Sequence, residues 1–498
     1  MSRCDLVLIR PNDKKEIYGT VPSGATASDP PYWLALMGGY MRDKGVVVKL
    51  IDAEGENLSP EQTIARLREY APALVGVLTI GSNLTASTWK MNGASIWVSA
   101  IRKECPEIKQ FLWGYHVSAI PEKTLREEQA DYVVCGEGFE TILELVSAVK
   151  SHAGTGDLER IDGLWFKTAD GEISGNSRMR LIQNFDELPY DGWDMLPTQV
   201  YRNHLHFAFE DLSKRNRYGA IMTSLGCPYN CSYCAISYFS GDKKQRFKST
   251  VRALEEVDYW VKRHDAYFLR ILDECFTFNR QHVMDFCHGL IERNYDLSIW
   301  INARADLVDP EMLRTMKAAG IDWIGYGFET GSRKIRGNVH KAQYSEEQIR
   351  EVVRMTHEAG ISICSNFMFG LPGDDMESMR ESLDFARELC CEWPNFYCTM
   401  AYPGSQLYRE AVANGGVGLP DSWLGYTQLG YETQPFPTEH LTAKEILAFR
   451  DYAFEAFFRD NPRYWENIQS KYGGDAVQAI ERLLENKMKR RLLEDENH

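Results

Sequence analysis

The segment Ser224–Ser237, SLGCPYNCSYCAIS, carries Cys227, Cys231 and Cys234 with three and then two residues between them. Three thiols are an odd set. A structural zinc site takes four protein ligands, and disulfides form in pairs. A [4Fe–4S] cube held by three thiolates keeps one iron open, as a catalytic metal site keeps a position for its substrate. The stretch leading into the loop, YGAIMTSLG from Tyr218 to Gly226, reads as a strand. The cysteines therefore sit at a carboxyl-terminal strand end.

Working outward, strands are expected in YFLRILDEC (267–275), LSIWINARA (297–305), WIGYGFET (323–330), ISICSNFMFG (361–370) and NFYCTMAY (395–402). Amphipathic helical segments such as STVRALEEVDYWVKRH (249–264) and SEEQIREVVRMTHEAG (345–360) lie between them. Six βα units cannot close an eight-stranded barrel, so residues 218–408 are expected to form an open, partial (β/α)6 TIM-like barrel. The chemistry of such a fold lies on loops at the carboxyl ends of its strands.

Ahead of it, residues 1–150 alternate apolar runs with helical patterns. CDLVLIR, VVVKLIDAE, ALVGVLTI, KQFLWGYH and DYVVCGEG read as strands. Continuous apolar strands separated by helices imply a parallel sheet covered on both faces. The expectation is an α/β, flavodoxin-like (Rossmann-type) domain with ligands at its carboxyl strand ends. Residues 151–217 read as a linker region containing a small hairpin around Asp170-Gly171. Residues 409–498 read as a helical extension rich in aromatics.

Of the chain's 498 residues, 44% are hydrophobic and 26% charged, with a formal net charge of −15. That balance argues against broad binding to nucleic acid backbones. No apolar run approaches the ~20 residues of a membrane helix, and the N-terminus has no signal-peptide core. A cytoplasmic protein with reduced thiols is the expectation. The other nine of the twelve cysteines are scattered, as small buried hydrophobes are.

CPYNCSYC, with Tyr233 just before the third cysteine, resembles the signature of the radical S-adenosylmethionine (SAM) superfamily. The resemblance runs from about Tyr218 to Tyr408 and implies a [4Fe–4S] cluster on Cys227, Cys231 and Cys234. SAM then occupies the open iron, and its cleavage yields a 5′-deoxyadenosyl radical. It further implies SAM contacts from Tyr233 and from four strand-end motifs. LDECFTF offers Asp273 and Glu274, and NARADL offers Arg304. GFETGS offers Glu329, Thr330 and Ser332, and FGLPGDD offers Gly370 and Pro372.

The N-terminal loops TIGSN, WGYHVSAIPEKTL and CGEGFETIL resemble those of the cobalamin-binding group that includes the anaerobic Mg-protoporphyrin cyclase and B12-dependent C-methyltransferases. Cobalamin contacts are implied at Thr79, Ser82, Asn83, Gly114, His116, Ser118, Gly136, Glu137 and Gly138. The D-x-H-x-x-G motif that supplies a cobalt ligand in many corrinoid proteins is absent after the first strand, so cobalamin bound without a protein histidine is expected. The resemblance implies methylation of an unactivated carbon, or of phosphorus, in a small molecule or lipid by way of methylcobalamin, with a flavodoxin or ferredoxin as reductant. Cyclisation, oxidation or rearrangement without methyl transfer is the alternative. A methylthiotransferase-like enzyme and a non-enzymatic corrinoid carrier are further readings.

Overall fold

The computed structural model describes residues 4–21, 26–81, 83, 87–240, 244–341, 344–459 and 461–494. The first sheet is built from β1 (Leu6–Arg10), β2 (Val48–Asp52), β3 (Leu74–Leu78), β4 (Lys109–Trp113) and β5 (Tyr132–Val134), all parallel, in the order β2-β1-β3-β4-β5. This is the flavodoxin-like order expected from the sequence. Alternation along β1 explains its two-sided burial. Leu6 and Leu8 enter one core cluster, while Val7 and Ile9 enter the other.

The hairpin read within the linker extends this sheet. β6 (Leu164–Lys167) pairs antiparallel with β5, and β7 (Ile173–Gly175) pairs antiparallel with β6. The first domain's sheet thus runs to residue 175. Sequence alternation alone does not disclose which sheet edge a hairpin joins.

The second sheet holds β8 (Tyr218–Ile221), β11 (Phe268–Ile271), β12 (Ser298–Ala303), β13 (Ile321–Glu329), β14 (Ser362–Phe369) and β15 (Trp393–Cys398). All neighbours in it are parallel, and the strands follow chain order from β8 at one edge to β15 at the other. This is the open six-stranded partial barrel. A small antiparallel ladder of β9 (Ser224–Leu225) and β10 (Arg246–Phe247) branches from the end of β8.

Three features complete the packing. The helix Tyr32–Asp43 is buried from Tyr32 to Met41 without a polar face, as a helix enclosed on all sides must be. Its Tyr32 hydroxyl accepts from the Lys248 ammonium of the second half at 2.9 Å. The segment before β8 then plugs the barrel: His206 stacks on Trp393 and Phe207 on Trp300, with ring centroids 4.6 and 3.9 Å apart. Finally, the C-terminal helices Ala443–Arg459 and Pro462–Tyr472 cover β14 and β15 through aromatic contacts such as Phe369–Phe449 at 5.0 Å.

Candidate functional site

The cysteine loop leaves β9 and returns through β10, so one short ladder closes its base. Gly226 opens the loop with φ 94°, and a Cβ there would lie 2.5 Å from the Lys244 carbonyl. Only glycine serves at that turn. Inside the loop the Cys234 amide donates to the Cys231 carbonyl at 3.0 Å. Cys227, Cys231 and Cys234 are half-buried and in no disulfide. Burial pushes the Cys227 thiol well up, so its thiolate is stable only against a bound cation. Among the described residues no three His, Cys, Asp or Glu side chains converge on a single-ion site. An iron–sulfur cube takes one thiolate per iron and needs no such convergence.

The two carboxylates after β11 divide the work. Asp273 is fully buried and accepts from the Thr223 amide, the Thr223 hydroxyl and the Ser224 hydroxyl at 2.5–2.7 Å. It ties the ends of β8 and β9 to β11. Glu274 accepts from the Gly226 amide at 3.0 Å through one oxygen, while its other oxygen is buried without a partner. Burial raises the Glu274 carboxyl to about 8. An orphaned acceptor beside the cysteine loop fits a cluster-bound ligand carrying a donor, which the SAM amino group is.

The remaining residues expected at SAM lie in the loop itself or at the carboxyl ends of β12, β13 and β14. Arg304 grips Asp306 at 2.9 and 3.0 Å and lies 3.7 Å over the Tyr229 ring. Tyr233 packs against Leu371, Ile335 and Val339 on one side and Leu407 and Tyr408 on the other. Glu329 pairs with the buried Lys341 at 2.5 Å and adopts φ 66°, a left-handed conformation that marks a constrained position in a non-glycine residue. Thr330 and Ser332 instead serve the framework. The Thr330 hydroxyl bonds Ser382 at 2.9 Å and accepts from the Ser332 amide. Gly370 (φ 78°) packs on Ile446, and the Pro372 carbonyl accepts from Asn338 at 2.9 Å.

In the N-terminal domain most of the expected cobalamin contacts bond within the protein. The Thr79 hydroxyl donates to the Trp113 carbonyl at 3.0 Å, and Ser118 bridges the Gly114 carbonyl and the Gly136 amide. Gly114 and Gly138 leave room for Thr79 and Trp113. Glu137 is fully buried, accepts from the Ile182 amide at 2.9 Å and pairs with Arg246 of β10. Asn83 is exposed, and Ser82 lies outside the described residues. His116 is 2% exposed; its Nδ1 meets the Thr88 hydroxyl at 3.2 Å, and its Nε2 has no partner. Burial lowers it to about 3. Trp423 of the C-terminal extension covers its ring at 4.5 Å.

Sequence reasoning missed four residues here: Lys341, Arg246, Tyr115 and Trp423. Tyr115 stacks on Phe239, 3.9 Å away, and its hydroxyl is buried without a partner. Lys341, Arg246 and Trp423 fall in no motif and Tyr115 lies beside His116 within WGYHVSAIPEKTL; each is recruited by a tertiary contact. Between the two halves lies a cavity at the carboxyl ends of β1 and β3, lined by Arg10, Tyr18, Asp29, Trp33, Lys90 and Arg270 among others. Its place at a doubly wound sheet's strand ends, against an open barrel, fits a bulky cofactor shared by both.

Residues 221–386 match the radical SAM superfamily, and residues 26–146 match the B12 binding domain. The chain is therefore a radical SAM enzyme with a B12-binding domain ahead of its barrel, and its cofactors are a [4Fe–4S] cluster, SAM and cobalamin. It is 27% identical over 483 residues to an uncharacterized methyltransferase of Pyrococcus horikoshii, covering 96% of this chain and 97% of that one. It is 26% identical over 385 residues to an anaerobic magnesium-protoporphyrin IX monomethyl ester cyclase of Rubrivivax gelatinosus, covering 76% and 66% of the two. Among solved structures, the methyltransferase TsrM from Kitasatospora setae, with cobalamin and a [4Fe–4S] cluster bound, superposes with a TM-score of 0.67. That match is at 17% identity, covering 97% of this chain and 99% of that one. No described helix is long and apolar enough to cross a membrane.

Proposed function

We propose that the chain is a cobalamin-dependent radical SAM methyltransferase acting on an unactivated carbon of a small molecule. The observation that carries this reading is the direct joining of the two halves beside the cysteine loop, where Glu137 of the B12-binding domain pairs with Arg246 of β10. When bound, the cluster with SAM supplies one-electron chemistry, and the corrinoid supplies a transferable methyl group.

The chain's own residues hold and orient these groups. Cys227, Cys231 and Cys234 hold the cluster. The free oxygen of Glu274 accepts from SAM, while Tyr233 and Leu371 wall its adenine. Asp273 fixes the loop's entry. An external low-potential reductant supplies the electron.

Anaerobic turnover with methyl-labelled SAM tests the reading: label in product together with 5′-deoxyadenosine supports it. Deoxyadenosine with unlabelled product sinks it in favour of cyclisation or oxidation, a second reading favoured by the cyclase relative.

A further inference from the structure

Tyr115 opens the short helix Tyr115–Ala119 that follows β4 in the B12-binding domain. Gly114 ahead of it holds φ 146°, and a Cβ there would meet the Thr79 hydroxyl at 2.5 Å, so the approach to Tyr115 requires glycine. The Tyr115 ring lies flat on Phe239, which follows Cys234 in the cysteine-loop segment, with centroids 3.9 Å apart and planes 11° from parallel. Trp33 meets the same Phe239 ring edge-on at 5.0 Å. Phe239 is fully buried and Tyr115 is 5% exposed. The stack therefore carries the phenol across the junction of the two halves and fixes where its hydroxyl lies.

That hydroxyl bonds nothing among the described residues, and neither does one oxygen of Glu274. The two share one electrostatic neighbourhood. Burial, and after it the charges of Glu274, Glu137 and Cys234, push the Tyr115 phenol well above its ordinary value, so it keeps its proton and acts as a donor. The Trp33 indole and the Ser232 hydroxyl are also unmet. Tyr115 differs from them in that a second unmet group, of opposite hydrogen-bonding sense, acts on it from the facing domain. A buried donor and a buried acceptor that influence one another without bonding leave a gap between them, and a ligand seated there satisfies both.

Resting on the reading of Glu274 as the acceptor for the SAM amino group, we propose that the Tyr115 hydroxyl donates to the carboxylate of the same SAM molecule. An α-amino acid carries a donor and an acceptor on one carbon, and the Glu274–Tyr115 pair presents the complementary acceptor and donor. A hydrogen bond to an ionised acceptor is among the stronger kinds. Tyr115 is then a SAM-binding residue supplied by the B12-binding domain, and SAM binds fully only when the two halves are docked.

Calorimetry on the reconstituted holoenzyme tests this with two ligands: SAM and decarboxylated SAM, which keeps the amino group and lacks the carboxylate. Tyr115→Phe preserves the ring and its stack and removes only the hydroxyl. The expected result is SAM weakened about tenfold, decarboxylated SAM unchanged within about twofold, and iron and cobalamin content as in the parent. Should Tyr115→Phe fail to load iron, Phe239→Leu, which removes the stack that aims the hydroxyl, should show the same carboxylate-specific loss. Unchanged SAM affinity, or equal weakening of both ligands, overturns the proposal. So does a lost or spectrally altered cobalamin at unchanged SAM affinity, which would turn the hydroxyl toward the corrin. Glu274→Gln should weaken both ligands, because both carry the amino group. That result with Tyr115→Phe inert leaves the Glu274 reading standing and this one refuted; an inert Glu274→Gln beside a carboxylate-specific loss in Tyr115→Phe does the reverse.

Discussion

Glu137, three residues past the end of β5, forms an ion pair with Arg246 in the strand that closes the cysteine loop. The carboxylate is fully buried and the guanidinium nearly so, with side-chain exposures of 0% and 16%. Arg246 also donates to the Ile182 carbonyl at 2.5 Å, whose own amide donates to Glu137. One closed circuit therefore links the B12-binding domain, the connecting segment and the base of the radical-generating loop.

Breaking that circuit from one side leaves a buried charge unmatched. Glu137→Gln should destabilise the protein by about 3 kcal/mol. Adding Arg246→Met should restore part of the loss, with a coupling of at least about 1 kcal/mol. Urea unfolding of the single and double variants measures both numbers; additive losses would refute the pairing.

The two neighbouring carboxylates after β11 should behave oppositely. Asp273→Asn disturbs three hydrogen bonds inside the framework and should cost about 2–4 kcal/mol. Glu274→Gln should leave stability within about 1 kcal/mol while weakening SAM about tenfold, because one of its oxygens has no partner in the framework and is the one proposed to accept from SAM. Calorimetry on the reconstituted protein, alongside thermal melts, separates the two.

His116 gives stability a pH dependence of known sign. Burial lowers its folded-state value from 6.5 to about 3. The unfolded chain therefore binds a proton between those limits that the folded protein refuses. Its contribution is complete above pH 6.5 and is lost as pH falls toward 3. Between pH 6.5 and 5 the loss is about 2 kcal/mol. A His116→Gln variant should lack this increment when urea melts at the two pH values are compared with the parent. Parallel acid losses in both proteins would contradict it.

Trp423 packs edge-on against the buried His116 ring. Lys123 lies over the same ring at 5.4 Å, which fixes the C-terminal extension to the first domain. Trp423→Ala should cost about 2–3 kcal/mol and raise the His116 value toward 6.5. Histidine proton NMR across a pH series reads the shift directly; a value still near 3 would contradict it.

Much of this architecture is legible in the sequence, because strand alternation and the C-x3-C-x2-C spacing are local. The five parallel strands in flavodoxin order and the six-stranded open barrel follow from patterns within single segments. What is hidden is partnership at long range. Thr330 and Ser332 read as cofactor contacts, yet Thr330 answers to Ser382, fifty-two positions away. Thr79, Gly114, Ser118 and Gly136 read as a ligand cradle and form a self-bonded lattice at the ends of β3 to β5. Lys341 and Trp423 carry no motif at all; a buried ion pair and a ring contact reveal them.

The central claim is that one chain holds a radical-generating cluster and a corrinoid across a single interface. Iron and cobalt counting, with the visible spectrum, after anaerobic reconstitution with cobalamin supplied tests it most directly. The account predicts about four irons and one cobalamin per chain, with the iron lost from a Cys227→Ala, Cys231→Ala, Cys234→Ala variant that still retains cobalt. About eight irons, or no cluster absorption at all, would contradict it.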